Sequence, residues 1–326
     1  MIGLFQSINE KSIVPKYLIC KKTNVQFDEN DSMDRLWEIH NDALNKKADI
    51  TPNEGKSLLD LKIHIAKRIF SDCVFCERRC HVDRNKKDGF CQVNRPRIAC
   101  EFIHYGEEKF FIPSHTIFFS GCNFECRFCQ NFDISQNQMG LYIPPERMGT
   151  HIQEKYNKGS KNVNWVGGEP TPNVLYILES LNLVSTPIHQ IYNSNMYCST
   201  ETMLLLHGVI DVFLADFKFG NNSCACHIAG IENYVNIIKR NLKMARSFSE
   251  LFIRHLVLPN HIDCCSKLLL IWITSNLPNT TVNIMDQFRP EYMAKHDPLL
   301  NMQCSKDDII SVKKYTKKLG ISLYSD

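Results

Sequence analysis

The stretch Ser120-Gly121-Cys122-Asn123-Phe124-Glu125-Cys126-Arg127-Phe128-Cys129 follows directly on the apolar run Thr116–Phe119. Its spacing, C-x3-C-x2-C, places three thiols within eight residues. Four thiolates saturate a four-iron cube, whereas three hold three corners and leave the fourth iron open to a ligand. The plain alternatives are buried core cysteines or three ligands of a structural zinc. They fit less well, because the loop leaves a strand of the barrel type at its C-terminal end, where active sites gather.

Outward from this loop, short apolar runs alternate with helical patterns from about His115 onward. Strands are expected at Thr116–Phe119, Val163–Val166, Gln190–Tyr192, Val212–Phe217, Phe252–Val257, Val282–Ile284 and Ile321–Tyr324. Several are largely apolar, as parallel strands covered on both faces are. Between them, Thr171 is expected to cap a helix with Pro172 at its first position. Val174, Ile177, Leu178 and Leu181 would form the apolar face of that helix. Ser305 is expected to cap another, with Asp307 and Asp308 in its first turn, Lys317 and Lys318 in its last and Gly320 beyond. Repeated strand–helix units predict a parallel sheet, open or curled into a barrel. Upstream, helices are expected around Met33–Asn45 and Leu58–Phe70, followed by a cysteine-rich segment, Cys73–Cys91. Residues 1–100 are read as an extension wrapped on a main domain of residues 101–326.

The chain has 326 residues, 44% hydrophobic and 22% charged, which is the composition of a folded protein. A formal charge of +3 steers ligands weakly and makes a nucleic-acid backbone a less natural partner. The start, MIGLFQSINEK, lacks the pattern of a secretion signal, and the longest apolar run, Leu268–Ile273, is too short to span a bilayer. A cytoplasmic location and no membrane partner are expected. Fifteen cysteines then point to metal binding or catalysis rather than to a disulfide framework.

The cysteine loop, with aromatic Phe128 just before its third cysteine, resembles the signature of the radical S-adenosylmethionine (SAM) superfamily. The resemblance implies an α/β fold, a partial (β/α)6 TIM-type barrel, here with a cysteine-rich N-terminal extension. It implies a [4Fe-4S] cluster on Cys122, Cys126 and Cys129 whose open iron binds SAM through its amino and carboxylate groups. An electron from the cluster then splits SAM into methionine and a 5′-deoxyadenosyl radical. The residue matching Phe128 lies near the adenine in that family.

One strand further on stands Gly167-Gly168-Glu169-Pro170. Glycines there let backbone acceptors approach a ligand without an intervening Cβ. In the family the matching segment accepts hydrogen bonds from the SAM amino group, so Gly167, Gly168 and Glu169 are cofactor-binding candidates. Asn193, at a strand end, is a candidate for the ribose, although asparagine is also a common turn residue there. Later segments, and Cys73, Cys76, Cys80 and Cys91 upstream, resemble the branch called pyruvate formate-lyase activating enzyme-like proteins. That branch name implies an oxidoreductase and fixes no substrate.

Cys73, Cys76, Cys80 and Cys91 offer four thiolates for structural zinc or an auxiliary iron–sulfur cluster, or they only pack. Asp216 and Lys218 share a strand face and would either pair or contact SAM or substrate. Arg254 would suit a carboxylate or phosphate through its planar fork, and His255 reads as a satisfied structural histidine. Cys224, Cys226, His227, Cys264 and Cys265 are read as core. The linker Lys109–Ser114 lacks a glycine-rich stretch, so a lid over SAM is expected to differ. The functional expectation is a radical SAM enzyme fed by flavodoxin or ferredoxin, acting on a protein as an activase does. The alternatives are modification of a tRNA or small metabolite, and a non-catalytic iron–sulfur or zinc scaffold.

Overall fold

A computed structural model describes residues 13–45 and 55–325, so the amino-terminal stretch read above for a secretion signal lies outside the described residues up to residue 12. The chain opens with α1 (Lys16–Lys22), α2 (Met33–Asn45) and α3 (Leu58–Ser71). The last begins at Ser57, whose hydroxyl accepts from the Asp60 amide while the Asp60 carboxylate accepts from the Ser57 amide. This reciprocal pair satisfies two otherwise orphaned donors and sets the start of the helix. Eight of its residues are buried, Leu58, Leu59, Leu61 and Ile65 among them, so α3 is a core helix.

A strand without a sequence-based expectation comes next, β1 (Ile98–His104), and it straddles residue 100. Six more follow: β2 (Ser114–Phe119), β3 (Asn162–Gly167), β4 (His189–Ser194), β5 (Val212–Asp216), β6 (Glu250–Leu256) and β7 (Thr281–Met285). The two-residue β8 (Ser322–Leu323) ends the sheet. Spatial order equals sequence order from β1 to β8, with β1 antiparallel to β2 and every later pair parallel. Helices lie in the crossovers: α4 (Phe132–Ser135), α5 (Pro145–Asn157), α6 (Val174–Asn182), α7 (Thr200–Leu206), α8 (Asn222–Ala229), α9 (Tyr234–Phe248), α10 (Leu268–Asn276) and α11 (Lys306–Lys318). This is the expected partial (β/α)6 barrel, with β1 and β8 as its two sheet edges.

Side-chain alternation separates two faces of the curled sheet. Outward residues such as Ile117, Val163, Tyr192, Phe213 and Ile253 join one large apolar core. Inward residues Ile191, Val212, Leu214 and Phe252 form a second, smaller core with Phe111, against which Phe110 and Tyr324 pack. Phe110 and Phe111 belong to the β1–β2 linker, which thus fills the lower lumen. One layer above, Arg254 of β6 meets Glu107 and Glu108 of the same linker. Asn164 of β3 donates to Glu107 at 3.2 Å and Asn283 of β7 donates to Glu108 at 2.9 Å. The linker is a plug for the barrel rather than a lid over its mouth.

The cap predicted at Ser305 is present, as a reciprocal pair with Asp308, and Gly320 takes φ +72° just past the helix. The cap predicted at Thr171 is not. Residues Thr171–Asn173 form a 3-10 turn before α6, and the Thr171 hydroxyl turns to Glu169 at 2.6 Å instead.

Candidate functional site

Loop 120–131 leaves β2 and is held on every side by backbone bonds. Gly121 donates to Ile134 at 2.8 Å, Glu125 to Ala229 at 3.1 Å and Arg127 to Ile228 at 2.8 Å. Phe124 packs edge-on against Tyr197 and Tyr234, anchoring the loop's middle in the core. The Arg127 guanidinium lies 3.2 Å from Asp297. Cys122, Cys126 and Cys129 all face one cavity of about 300 Å³ at the C-terminal ends of the strands. Phe128, Gly167, Gly168, Glu169 and Asn193 line the same cavity, so every residue singled out for the site is brought together.

The donor chemistry suits a cationic centre. Burial raises the Cys122 thiol well above its ordinary pKa, helped by the Glu169 and Cys126 charges. Burial likewise pushes Cys126 up to about 12, although the Lys218 ammonium works against it. Cys122 and Cys126, which burial holds protonated, ionise together with less cost around a metal centre, which supplies the missing positive charge, and Cys129 faces the same cavity as a third thiol. The residues present therefore fit an iron–sulfur cluster.

Glu169 is fully enclosed, and its carboxylate is already engaged. It accepts from the Thr171 hydroxyl at 2.6 Å, the Thr171 amide at 3.2 Å, the Ser194 hydroxyl at 2.6 Å and the Asn195 amide at 2.9 Å. Burial still raises its pKa, against the effect of those donors. Glu169 thereby ties the end of β3 to the end of β4, and Asn195 passes the link on to Asn123 of the cysteine loop at 2.7 Å. Asn193 has no side-chain hydrogen bond among the described residues, leaving its amide to the cavity.

The glycines have a packing role that the sequence did not suggest. A Cβ on Gly167, whose φ is +122°, would overlap the Phe119 backbone. A Cβ on Gly168 would overlap the Gly121 carbonyl oxygen. Both glycines let the β3 end press against β2 and the cysteine loop, and the Gly168 amide donates to Phe119 at 2.8 Å. Each keeps a close backbone contact clear, and both also line the cavity.

Asp216 and Lys218 form an ion pair on the cavity wall. Arg254 also lines the cavity, but its fork is taken by Glu107 and Glu108, which corrects its reading as a ligand-binding group. His255 is the satisfied residue expected: one nitrogen lies 2.8 Å from the Phe217 carbonyl and the other 2.8 Å from the Ser266 hydroxyl. Since the carbonyl can only accept, Nδ1 carries the proton, and burial lowers the pKa to about 4.

Cys73, Cys76, Cys80 and Cys91 surround a small space behind the loop, bordered by Asn123 and Pro172. Arg78 donates to the Asn123 carbonyl at 2.7 Å, and buried Arg84 to the Pro172 carbonyl at 2.7 Å. Through these bonds the cysteine-rich segment Cys73–Cys91 braces both the cysteine loop and the segment after Glu169. Burial pushes Cys73 up to about 11 and Cys76 to about 12.

Cys265 lies in the core and Cys224 and Cys264 pack against it, as expected, while two further segments bring these three together in one group. Cys224 of α8 meets Cys264 and Cys265, and His261, absent from the sequence-based reading, joins them. Cys226 is exposed and His227 pairs with Asp297, so neither takes part. The signal for His261 lay in two loops that follow adjacent strands, a proximity that appears only once β5 and β6 pair.

Thiol loop, barrel and cavity define an α/β-barrel class with a thiol-lined site at the strand ends, and the family profile agrees. Residues 116–267 match the sequence profile of the radical SAM superfamily. An uncharacterized protein of Methanocaldococcus jannaschii is 43% identical over 343 aligned positions, covering 100% of this chain and 99% of that one. The chain belongs to the radical SAM superfamily. Among solved structures, Streptococcus suis SuiB bound to S-adenosylmethionine aligns with TM-score 0.48 and 13% identity over 63% of this chain, which spans 48% of SuiB. A domain of pyruvate-formate lyase-activating enzyme from Bacteroides vulgatus aligns with TM-score 0.40 and 15% identity, over 50% of this chain and 97% of that domain. Methylornithine synthase aligns with TM-score 0.47 and 15% identity, over 98% and 78%.

Proposed function

We propose that Cys122, Cys126 and Cys129 hold a [4Fe-4S] cluster and that SAM binds beside it in the 300 Å³ cavity. The observation that carries this reading is that the three thiols share one cavity with Phe128, Gly167, Gly168, Glu169 and Asn193. When bound, the cluster and SAM supply a 5′-deoxyadenosyl radical, the difficult chemistry belonging to the cofactors.

The protein's own part is placement and exclusion of water. Glu169 fixes the shelf on which the ligand rests by clamping β3 to β4. Phe128, packed against Phe288 at 5.8 Å between ring centroids, gives an apolar wall suited to the adenine. Asn193 turns a free amide toward the ribose. The Arg254–Glu107–Glu108 layer and the phenylalanines below it close the floor against solvent. A flavodoxin or ferredoxin supplies the electron, and a reducing cytoplasm suits the exposed thiol chemistry.

For the substrate, we favour a protein segment, as for an activase, since the sheet edges β1 and β8 are not paired to each other and leave the barrel open at one side. A second metal on Cys73, Cys76, Cys80 and Cys91, in the extension of residues 1–100, would stiffen the brace behind the loop. The test is reduction of anaerobically reconstituted protein with SAM. Release of 5′-deoxyadenosine is expected, with none from Cys126→Ala. Release from a variant with Cys122, Cys126 and Cys129 all changed to Ala would refute the proposal. Incubation with size-fractionated lysate then separates substrates, and modification confined to the low-molecular-weight fraction would exclude the protein substrate.

A further inference from the structure

We propose that Cys224, His261, Cys264 and Cys265 form a closed site for one structural zinc ion, stapling the loops that leave β5 and β6. The four ligand atoms all lie within 4.8 Å of one another. Cys224 Sγ is 3.7 Å from Cys264 Sγ and 3.6 Å from His261 Nδ1, and His261 Nδ1 is 3.3 Å from Cys264 Sγ. A tetrahedral zinc with bonds of about 2.3 Å to sulfur and 2.0–2.1 Å to nitrogen has edges of about 3.8 Å between sulfurs and about 3.6 Å from sulfur to nitrogen. The three separations among Cys224, His261 and Cys264 lie within about 0.3 Å of those edges, and Cys265 lies within 4.8 Å of all three. They are far from the roughly 2.05 Å of a disulfide, and three sulfurs leave any disulfide with an odd partner.

The local backbone is shaped to present these groups. Two adjacent cysteines on an α-helix point about 100° apart and cannot readily share one ion. Here Ile262–Lys267 is a π-helical turn, with the His261 carbonyl accepting from Cys265 at 2.9 Å and from Ser266 at 3.3 Å. Within this wider turn Cys264 and Cys265 both come within 4.8 Å of the other two ligand atoms, and such turns recur at functional sites. Gly220 makes room from across the gap, since a Cβ there would press on the Cys265 carbonyl. Asn221 caps α8 and supplies the outer contacts a thiolate site needs. Its amide donates to Cys224 Sγ at 3.1 Å and to the Cys264 carbonyl at 2.8 Å. His261 and Cys265 are buried while Cys224 and Cys264 are partly open, which gives the ion a way in.

All four positions are protein ligands, so no place remains for water, and the role is structural. Binding releases three thiol protons and leaves a site charge of −1. The consequence reaches the cavity, because the same staple carries Phe219, whose ring lies 6.5 Å from that of Phe128, and α8, which accepts the amides of Glu125 and Arg127. This site stands apart from the cluster thiols and does not depend on the function proposed above.

The test uses the full-length protein expressed with added zinc. Wild type should keep one more zinc per chain than Cys264→Ser, and Cys226→Ser, changed at the exposed neighbour, should match wild type. Zinc X-ray absorption of wild type should show imidazole scattering in a mostly sulfur shell, lost in His261→Ala. That readout distinguishes this site from an all-sulfur site at Cys73, Cys76, Cys80 and Cys91, and it decides the question even if Cys264→Ser fails to fold. Equal zinc in wild type and Cys264→Ser, a zinc spectrum without imidazole, or a Cys224–Cys264 disulfide in fresh protein would each overturn the proposal.

Discussion

Replacing Arg254 by Met tests the reading of the barrel plug. The side chains of Arg254, Glu107 and Glu108 are 12%, 9% and 3% exposed, so the substitution leaves two carboxylates enclosed without their cation. Asn164 and Asn283 remain as uncharged donors, and His104, 3.6 Å from Glu107, remains as an ionisable neighbour that opposes the loss only when protonated. Breaking a buried ion pair from one side costs about 3–5 kcal/mol. The pH dependence follows from Glu108. Burial raises its pKa, yet the hydrogen bonds and charge of Arg254 outweigh this and hold the carboxyl below its ordinary value. In wild type this contribution is present above the unfolded pKa of about 4.3 and is lost as pH falls through the folded value. In Arg254→Met the cation is gone, burial dominates, and the Glu108 carboxyl rises above the unfolded value. The variant then gains protons on folding, so its deficit is largest near pH 7.5 and shrinks toward pH 5.5. Urea unfolding at both values measures it, and Glu107→Gln with Glu108→Gln should recover part of the loss at pH 7.5. A deficit under about 1 kcal/mol at pH 7.5, or one that does not shrink on acidification, would refute the plug as an ionic layer.

Gly168→Ala should displace the Gly121 carbonyl and lower the iron retained after reconstitution, rather than weaken SAM binding alone; iron analysis beside a SAM titration separates the two. Glu169→Gln turns a donor toward one of four donors now facing the carboxylate, with an expected cost of about 1–3 kcal/mol by denaturant unfolding. Ser305→Ala removes the cap of α11 and should cost about 1 kcal/mol, with no change in iron content.

The parallel strands were legible because several carry apolar residues on both faces, as Ile191 and Tyr192 or Val212 and Phe213 do. Strand β1 was not: Ile98–His104 is a half-exposed edge strand carrying Glu101 and Cys100, and its pairing is antiparallel. The cysteine loop could be read because its ligand spacing is local. The zinc site could not, since His261 and Cys224 lie 37 positions apart and meet only through the sheet. The packing contacts of Gly168 and Arg254 were hidden for a related reason: what each touches is backbone or side chain from a distant segment, and residue type alone does not name the neighbour.

The plug also governs traffic. With Phe110, Phe111 and the Glu107–Arg254 layer stacked beneath the cavity, the axis of the barrel offers no second exit along that line. In the proposed reaction, arrivals and departures would therefore share the upper mouth and the side gap. A large substrate docked there would retain methionine and 5′-deoxyadenosine until it moved away. Turnover would then be paced by the departure of the modified partner, and a burst of one 5′-deoxyadenosine per chain should precede the slower steady rate.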